Sequence, residues 1–421
     1  MTRAARRAVV LVLVGCALAG TACGPGPVVR RGVVNPSALR QVEDRLVRAR
    51  GLPLRQPVET RALDDAALSA ALAQELDASF PGNDLATLEA VYVRLGLLPA
   101  GTALRPALQT FYEGQVAAYY DQRRKQLTLA SGQLEEARAG LGLLTTLTGR
   151  DVVGETFVAH ELMHAIQDQH WPLPLDPEPL VDAHSDRLLA RRALLEGDAV
   201  LASLAALAGT LPDDDARAAI LTALDRLPDE LATTYPDVPA VLREQLAFQY
   251  AAGAHFVDRG LTLGGWAAVD RAHDDPPTST EQILHPERYF AERDRPTAIT
   301  LGGTADLERA GWQKRLEDTL GELDVAILAT HALPPGEAAE VAAGWDGDRL
   351  RALQRGDDWL LVWMTTWDSP ADAAAFAAAA PRLVPGAVVD HRGERVLVLV
   401  GDGGDRDLRA RVWATTRFAP E

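Results

Sequence analysis

The segment His160-Glu161-Leu162-Met163-His164 constrains this chain more than any other stretch. It holds the pattern His-Glu-x-x-His inside a run of apolar residues, which predicts a largely buried helix over about 152–169. On such a helix His160 and His164 lie one turn apart on the same face, so both imidazoles can bind one metal ion. Glu161 lies beside them, where its carboxylate can hold a metal-bound water and accept its proton. A chance match is expected only about once per hundred such chains, so we predict a metal site.

A third ligand is expected downstream, because catalytic zinc takes three protein ligands and keeps one position open. A long apolar helix is predicted from Asp182 to about Leu207, and Glu196 lies in its middle, where a carboxylate needs a partner. His-Glu-x-x-His followed by a helical glutamate resembles the gluzincin branch of the zincin metalloproteases. The resemblance implies Zn²⁺ held by His160, His164 and Glu196, with Glu161 as the catalytic base.

Two histidines compete with Glu196 for the third position. His170 stands where the metzincin pattern His-Glu-x-x-His-x-x-Gly-x-x-His has its last ligand, but Gln167 replaces the glycine that turns the chain back. On a continuing helix His170 points about 120° away from His164, so we expect it to cap the helix or to pack. His184 is a weaker rival, expected at the surface.

Further residues are expected to support the metal ligands or the reaction. Asp168, one turn beyond His164, can orient a ligand histidine or cap the helix, and Asp198 is a weaker candidate for such a role. Zincins often use a Tyr or His outside the helix to stabilise the oxyanion of the tetrahedral intermediate. His285 is the first candidate for this catalytic role, and a structural role for it fits the sequence at least as well. The other candidates are Tyr289, Tyr250 and His255.

A hairpin is predicted upstream of the site helix, over residues 116–130. Zincins typically carry an antiparallel edge strand at this point, on which an extended substrate can pair as one more strand. The second strand of the hairpin, Gln126–Ala130, is the candidate. An ordinary hairpin in a small sheet fits the same residues equally well.

The chain also resembles a group of uncharacterised bacterial exported proteins over about residues 110–290. The group shares a His-Glu-x-x-His helix, a Glu-Gly-acidic-Ala helix and a Ser-Thr-Glu-Gln…Leu-His-Pro segment. The matching segments here are His160–Gln169, Leu194–Ala199 and Ser279–Pro286. This resemblance implies the domain and its metal site, and it supplies no substrate.

The expected fold class is α+β. It comprises a mainly helical zincin-like domain with a small antiparallel sheet over 37–295, and a small α+β unit over 296–421. Apolar spacing predicts helices in the first domain, and the second should hold three helices, one of them a short helix over 338–343, and two hairpins. The predicted helices are 39–50, 62–78, 84–97, 236–256 and 307–330, with strands at 350–354, 359–365, 387–389 and 395–400, and a helix at 370–379.

The first 22 residues predict a secretory signal peptide, because basic residues precede about a dozen apolar ones. Gly20–Cys23 resembles a bacterial lipoprotein signal with Cys23 as the lipidated residue, followed by a Gly- and Pro-rich tether over 23–36. Leu13–Cys16 fits the usual lipobox letters better but leaves a short apolar region. An ordinary cleaved signal or an uncleaved anchor stays open. Both cysteines lie in this stretch, so no disulfide can stabilise the exported domain.

The formal net charge of −17 argues against nucleic acid or an anionic membrane surface as a partner. The sequence predicts a lipid-anchored, extracytoplasmic zinc metallopeptidase acting on a peptide or protein substrate. The alternative is a cell-envelope lipoprotein that binds a partner and uses zinc structurally. That would require a fourth protein ligand, such as Asp168 or His170, and no position for water. A hydrolase of non-peptide amides would share the same site.

Overall fold

The fold was analysed in a computed structural model, which describes residues 26–140, 150–173, 178–402 and 406–420. The predicted signal peptide and both cysteines, Cys16 and Cys23, lie outside the described residues, as does part of the proline-rich loop after the site helix. Within the described ranges, no helix has the length and apolar character needed to cross a membrane.

Over residues 26–140, the N-terminal part combines five helices with five short strands. Its first residues were predicted to be a tether, but β1 and β2 pair there as an antiparallel hairpin. Val28 and Val29, at the start of this hairpin, are fully buried. The backbone N–H of Val28 donates to Asp151 at the start of the site helix, which ties this hairpin to the domain. The elements are β1 (Val29–Arg30), β2 (Val33–Val34), α1 (Pro36–Arg50), β3 (Glu59–Leu63), α2 (Asp65–Ser79), α3 (Asp84–Leu95), α4 (Leu104–Gln115), β4 (Ala118–Asp121), β5 (Gln126–Ala130) and α5 (Ser131–Gly140).

The central part is helical. The predicted site helix is confirmed, and Asp151 caps it by accepting a hydrogen bond from the Gly154 N–H at 3.1 Å. The chain then turns at Trp171-Pro172, where proline cannot continue the helix. The elements are α6 (Val152–His170), α7 (Ser185–Ala208), α8 (Asp214–Leu224), α9 (Leu227–Thr234), α10 (Ala240–Gly264), α11 (Trp266–Asp274), α12 (Thr280–Leu284) and α13 (Glu287–Phe290).

The C-terminal part is built on a five-stranded antiparallel sheet of order β10-β11-β9-β8-β7. Both predicted hairpins are confirmed within it, and β12 pairs separately with β6. The elements are β6 (Thr297–Thr300), α14 (Ala305–Arg309), β7 (Gln313–Asp318), α15 (Gly321–Ala332), α16 (Pro335–Ala342), β8 (Trp345–Arg355), β9 (Asp358–Trp367), α17 (Pro370–Leu383), β10 (Val388–Arg392), β11 (Arg395–Gly401), α18 (Arg406–Thr415) and β12 (Arg417–Pro420).

The predicted continuous helix over 307–330 is wrong. Its middle forms β7, which adds a fifth strand by pairing with β8, and Gly321 then starts α15 with a φ of 87°. The side chain of Asp186 packs against Gly321 where any Cβ would overlap it. Strand pairing and this close approach, both tertiary effects, override the local helical pattern.

The small sheet beside the site helix has the order β3-β5-β4. β5 pairs in parallel with β3 and antiparallel with β4, so both of its edges are covered. The prediction that Gln126–Ala130 is the exposed edge strand is therefore wrong, and β4 is the edge strand nearest the site. The cause is β3, whose residues overlap the start of the predicted helix 62–78. That helix begins at Asp65 instead.

The α+β fold class is confirmed, and one apolar core joins the two predicted domains. The largest buried cluster contains Leu194 and Phe256 from the central helices together with Trp345 and Trp363 from the C-terminal sheet. Backbone hydrogen bonds reinforce this contact, since the N–H of Ala183 donates to the carbonyl of Glu317. The C-terminal part thus supports the start of α7, the helix that carries Glu196.

Candidate metal centre

Helices α6 and α7 bring His160, His164 and Glu196 together, as predicted. One Glu196 oxygen lies 3.0 Å from Nε2 of His160 and 3.5 Å from Nε2 of His164. The two Nε2 atoms are 3.2 Å apart. One ligand atom of each residue lies within 4.8 Å of the others. These three side chains could therefore hold one metal ion between two helices.

Glycine at position 197 allows a third helix to approach the centre. A Cβ on Gly197 would overlap the backbone carbonyl of Gly253 on α10, and a Cβ on Gly253 would overlap the carbonyl of Ala193 on α7. The two helices therefore pack with their backbones in contact. This close packing explains the glycine that follows Glu196, and it brings Tyr250 of α10 to the ligands.

Tyr250 lies directly against the ligand set. Its ring stacks on the imidazole of His160 with centroids 5.8 Å apart and planes 16° apart. Burial raises the pKa of the Tyr250 hydroxyl well above its usual range, and the nearby Glu196 and Glu161 carboxylates raise it further. With its pKa raised in this way, the hydroxyl stays protonated beside Glu196 and can act as a donor at the edge of the site.

Gln167 orients the second histidine. Its Oε1 lies 2.9 Å from Nδ1 of His164. Because an amide oxygen only accepts, the His164 proton belongs on Nδ1, which leaves the Nε2 lone pair for a metal. The amide nitrogen of Gln167 donates to the carbonyl of Leu195 at 3.0 Å and to Asp198 at 3.3 Å. Asp168, which the sequence predicts for this orienting role, contacts Tyr120 and Lys125 instead.

Asp198 is the centre of a fully buried polar network behind the ligands. Arg50 Nε donates to Asp198 at 2.8 Å, and His273 Nε2 lies 2.9 Å from its second oxygen. Arg50 also pairs with Asp270 at 2.7 Å and lies over the ring of Trp266. Burial alone would raise the pKa of Asp198, but the charge of Arg50 and the contact with His273 outweigh it and hold that pKa below its usual range. The Asp198 carboxylate thereby anchors the amide of Gln167.

Glu161 faces the edge strand of the small sheet. Its Oε2 accepts a hydrogen bond from the Tyr120 N–H of β4 at 2.9 Å. Burial raises the pKa of Glu161, against the effect of the two neighbouring histidines, which lower it. A carboxylate with a raised pKa beside a metal ion suits proton transfer.

The ligand residues also shift the pKa values of one another, even without a metal ion. Burial opposes ionisation of Glu196, but His164 and His160 outweigh it and lower the pKa of that carboxyl. Burial also disfavours the charged form of His164 and so lowers its pKa. The carboxylates of Glu196 and Glu161 outweigh burial, and the resulting pKa is about 10. The three groups therefore form an ion cluster in which a bound cation would compete with the His164 proton.

His285 is held away from the ligands. Its Nε2 lies 3.0 Å from Glu322. The residues flanking Glu322 contact Asp186 and Thr280, since Gly321 packs on Asp186 and the Leu323 N–H donates to Thr280. Asp186 lies ten residues before Glu196 on α7, which is about 15 Å of helix.

The other sequence candidates also have partners elsewhere. Tyr289 donates its hydroxyl to the carbonyl of Asp275, and His255 contacts Asp225. Of the oxyanion candidates, Tyr250 is the one that the fold brings to the ligand set.

The rival ligands are likewise engaged outside the centre. Asp168 accepts from the Tyr120 hydroxyl at 2.7 Å and from Lys125 at 2.6 Å, which ties the hairpin to α6. His170 Nε2 lies 2.8 Å from the carbonyl of Pro53, so it packs as expected. His184 caps α7 by accepting from the Arg187 N–H.

A second acidic group, Glu281, Asp294 and Asp368, joins the two parts of the chain. The guanidinium of Arg288 lies between these carboxylates, 2.6 Å from Glu281, 2.9 Å from Asp294 and 2.7 Å from Asp368. This group is therefore an internal ion-pair network with its own cation.

Comparison with known proteins leaves the metal centre without a relative. The family described as Domain of unknown function (DUF8575) matches residues 308–417, about a quarter of the chain. This match covers the C-terminal sheet and lies outside α6 and α7. No curated protein and no solved structure matches the chain. Function must therefore be argued from the site.

Proposed function

We propose that this protein is a zinc-dependent peptidase. The observation that carries the proposal is the convergence of His160, His164 and Glu196 with Glu161 beside them. Ligands about 2.0–2.1 Å from a tetrahedral zinc ion lie about 3.3–3.4 Å from one another. The ligand atoms here are 3.0, 3.2 and 3.5 Å apart. The nitrogen-rich donor set also suits zinc better than magnesium or calcium, which prefer oxygen.

An open coordination position favours catalysis over a structural metal. A closed zinc site needs a fourth protein ligand. Among the described residues the group has three members, and the proposed fourth ligands, Asp168 and His170, contact Lys125 and Pro53 instead. This supports an enzyme over the alternative, an envelope lipoprotein with a structural zinc.

The chain supplies a base, a positioned donor and an acid for amide hydrolysis. Zinc, when bound, would polarise the substrate carbonyl and lower the pKa of a water to about 7. Glu161 takes a proton from the attacking water and delivers it to the leaving amine as the carbon–nitrogen bond breaks. The Tyr120 N–H holds the Glu161 carboxylate in place. The Tyr250 hydroxyl is the donor for the developing oxyanion, in place of the predicted His285.

The free edge of β4 suits an extended peptide. Ala117 pairs with Ala130 through a hydrogen bond, so in the alternating antiparallel pattern residues 119 and 121 also face β5. Ala118 and Tyr120 then direct their backbone groups away from β5, and the Tyr120 N–H already reaches Glu161. A substrate strand pairing here would carry its scissile bond to the metal centre.

The proposal extends to the cell envelope. The basic and apolar N-terminal residues, followed by Gly20–Cys23, support export and a lipid anchor at Cys23, with Cys16 as the alternative. Labelling cells with a radioactive fatty acid tests this, because Cys23→Ser should abolish labelling while Cys16→Ser preserves it. Labelling lost only in Cys16→Ser would move the anchor to Cys16.

The test of the activity is hydrolysis of a peptide library by the zinc-loaded protein. Glu161→Gln should abolish cleavage and keep the metal, because it removes the base and no ligand. Glu59→Gln, an exposed residue on β3, is the matched control and should cleave normally. Cleavage that survives in Glu161→Gln would contradict the assigned role, and absence of cleavage by the wild type would contradict the proposed function.

A further inference from the structure

One face of α7 stays open to solvent at the metal centre. Leu188 and Glu196 are half-buried and Arg192 between them is exposed, whereas Leu189, Ala193 and their neighbours are buried. Residues four apart lie on the same face of a helix, so Arg192 projects from the strip that carries the third ligand. Its Cα lies about 6 Å along the axis from that of Glu196, a distance that an extended peptide covers in about two residues.

Arg192 has no ionic partner in the part of the chain that the structure describes, in contrast to Arg187 and Arg50. Arg187 pairs with Glu178 at 3.1 Å, and Arg50 pairs with Asp198. Even Glu196, one turn away, directs its carboxylate to the two histidines. The chain carries 59 acidic and 42 basic residues, so a guanidinium left without a carboxylate here is available to a ligand.

Tyr112 lies near Arg192. It lies near the end of α4, six residues before β4 begins, and its side chain is partly exposed. Burial raises the pKa of the Tyr112 hydroxyl, and the nearby charge of Arg192 acts in the opposite direction. Tyr112 therefore lies near Arg192, and the N–H of Tyr120, further along the same stretch of chain, donates to Glu161.

The direction of β4 fixes which part of a substrate reaches Arg192. β4 runs from Ala118, the end that follows Tyr112 along the chain, through Tyr120, whose N–H donates to Glu161, to Asp121. A peptide that pairs antiparallel, the commoner and slightly more stable arrangement, runs the opposite way. Its residues on the C-terminal side of the scissile bond therefore lie towards Arg192.

We propose that Arg192 binds a substrate carboxylate within two residues of the scissile bond, on its C-terminal side. Arginine suits this role because its planar guanidinium can bind a carboxylate through two parallel hydrogen bonds. The carboxylate is either the free C-terminus of the substrate or an Asp or Glu side chain. The inference rests on the proposed function, and it names a substrate class for the same site.

The first test measures binding without turnover. The zinc-loaded Glu161→Gln protein is titrated calorimetrically with pairs of short peptides that differ only in a C-terminal acid or amide, or in Glu or Gln after the scissile bond. We expect one carboxylate form to bind at least tenfold more tightly than its neutral partner. Adding Arg192→Gln should remove this preference, whereas Arg191→Gln, which is one residue away and turned by about 100°, should keep it.

The acid–amide pair tests whether the carboxylate is the free C-terminus of the substrate. The Glu–Gln pair tests whether it is an acidic side chain. In the active enzyme, Arg192→Gln should raise KM for the favoured peptide at least tenfold with little change in kcat. If proteins with and without Arg192 preferred the carboxylate peptide equally, the inference would be overturned. The proposed peptidase activity would not be affected by that result. Carboxylate-selective binding without any cleavage by the wild type would instead overturn the proposed function and keep the role of Arg192.

Discussion

The amide oxygen of Gln167 lies 2.9 Å from Nδ1 of His164, while its amide nitrogen donates to Asp198. One side chain thus fixes the tautomer of a metal ligand and links it to a buried carboxylate. Metal sites depend on such supporting contacts almost as strongly as on the ligands themselves.

Gln167→Met should weaken zinc binding about 10- to 100-fold, because His164 loses the acceptor that fixes its ring. Methionine keeps the length and the helix propensity of glutamine, so the fold should persist. Competition with a fluorescent zinc chelator measures the affinity. Gln169→Met, at the half-buried end of the same helix, is the control, because Gln169 contacts Arg55 and Gln56 and no ligand, and it should bind zinc like the wild type. Equal affinities in both variants would contradict the orienting role.

Arg50→Met should lower the free energy of unfolding by about 3–5 kcal/mol, since it leaves the Asp198 carboxylate buried without its main cation. Arg50 and Asp198 are both fully buried, so solvent cannot replace the lost contact. Urea unfolding of the metal-free protein measures this change. Arg48→Met on the exposed face of α1 removes the same charge and should cost less than about 1 kcal/mol. Similar losses in the two variants would show that the network adds little stability.

Asp324 should make the metal-free protein less stable as the pH rises. Burial raises its pKa to about 7, aided by Asp318 and Asp348 and opposed by the hydrogen bond from Gln245. The unfolded value is about 3.9, so the folded chain binds this proton more tightly. Its contribution to stability is present below about pH 4 and is lost as the pH rises through about 7.

Asp324→Asn should therefore raise the free energy of unfolding at pH 8 by about 2–4 kcal/mol and leave it nearly unchanged at pH 4. Chelator-treated protein is required, because zinc binding has its own pH dependence. Asp237→Asn, an exposed control, should follow the wild-type curve. If the stability of Asp324→Asn followed the same pH curve as the wild type, Asp324 would be excluded as a source of the pH dependence.

The metal ligands could be predicted because each leaves a local signal. His160, Glu161 and His164 form a rare motif on one helix face, and Glu196 is a carboxylate inside an otherwise apolar helix. The metzincin alternative could also be weighed, since Gln167 occupies the place of the required glycine. The structure agrees that His170 packs elsewhere.

The supporting residues could not be predicted, because their roles arise from distant parts of the chain. Arg50 meets Asp198 across 148 residues, and Tyr250 reaches His160 only because Gly197 and Gly253 allow two helices to touch. The predicted edge strand was also wrong, because β3 covers β5, and no strand signal in the sequence marks β3, whose last two residues fell inside a predicted helix. The strand β7 was hidden for the same reason, within a stretch of helical spacing.

The central claim is that His160, His164 and Glu196 hold one zinc ion. Its most direct test is the zinc content of the purified protein, measured by mass spectrometry for the wild type beside Glu196→Ala and His170→Ala. We expect one zinc per wild-type chain, loss of zinc in Glu196→Ala, and full retention in His170→Ala. Loss of zinc in His170→Ala with retention in Glu196→Ala, or a wild type that binds no zinc, would contradict this claim.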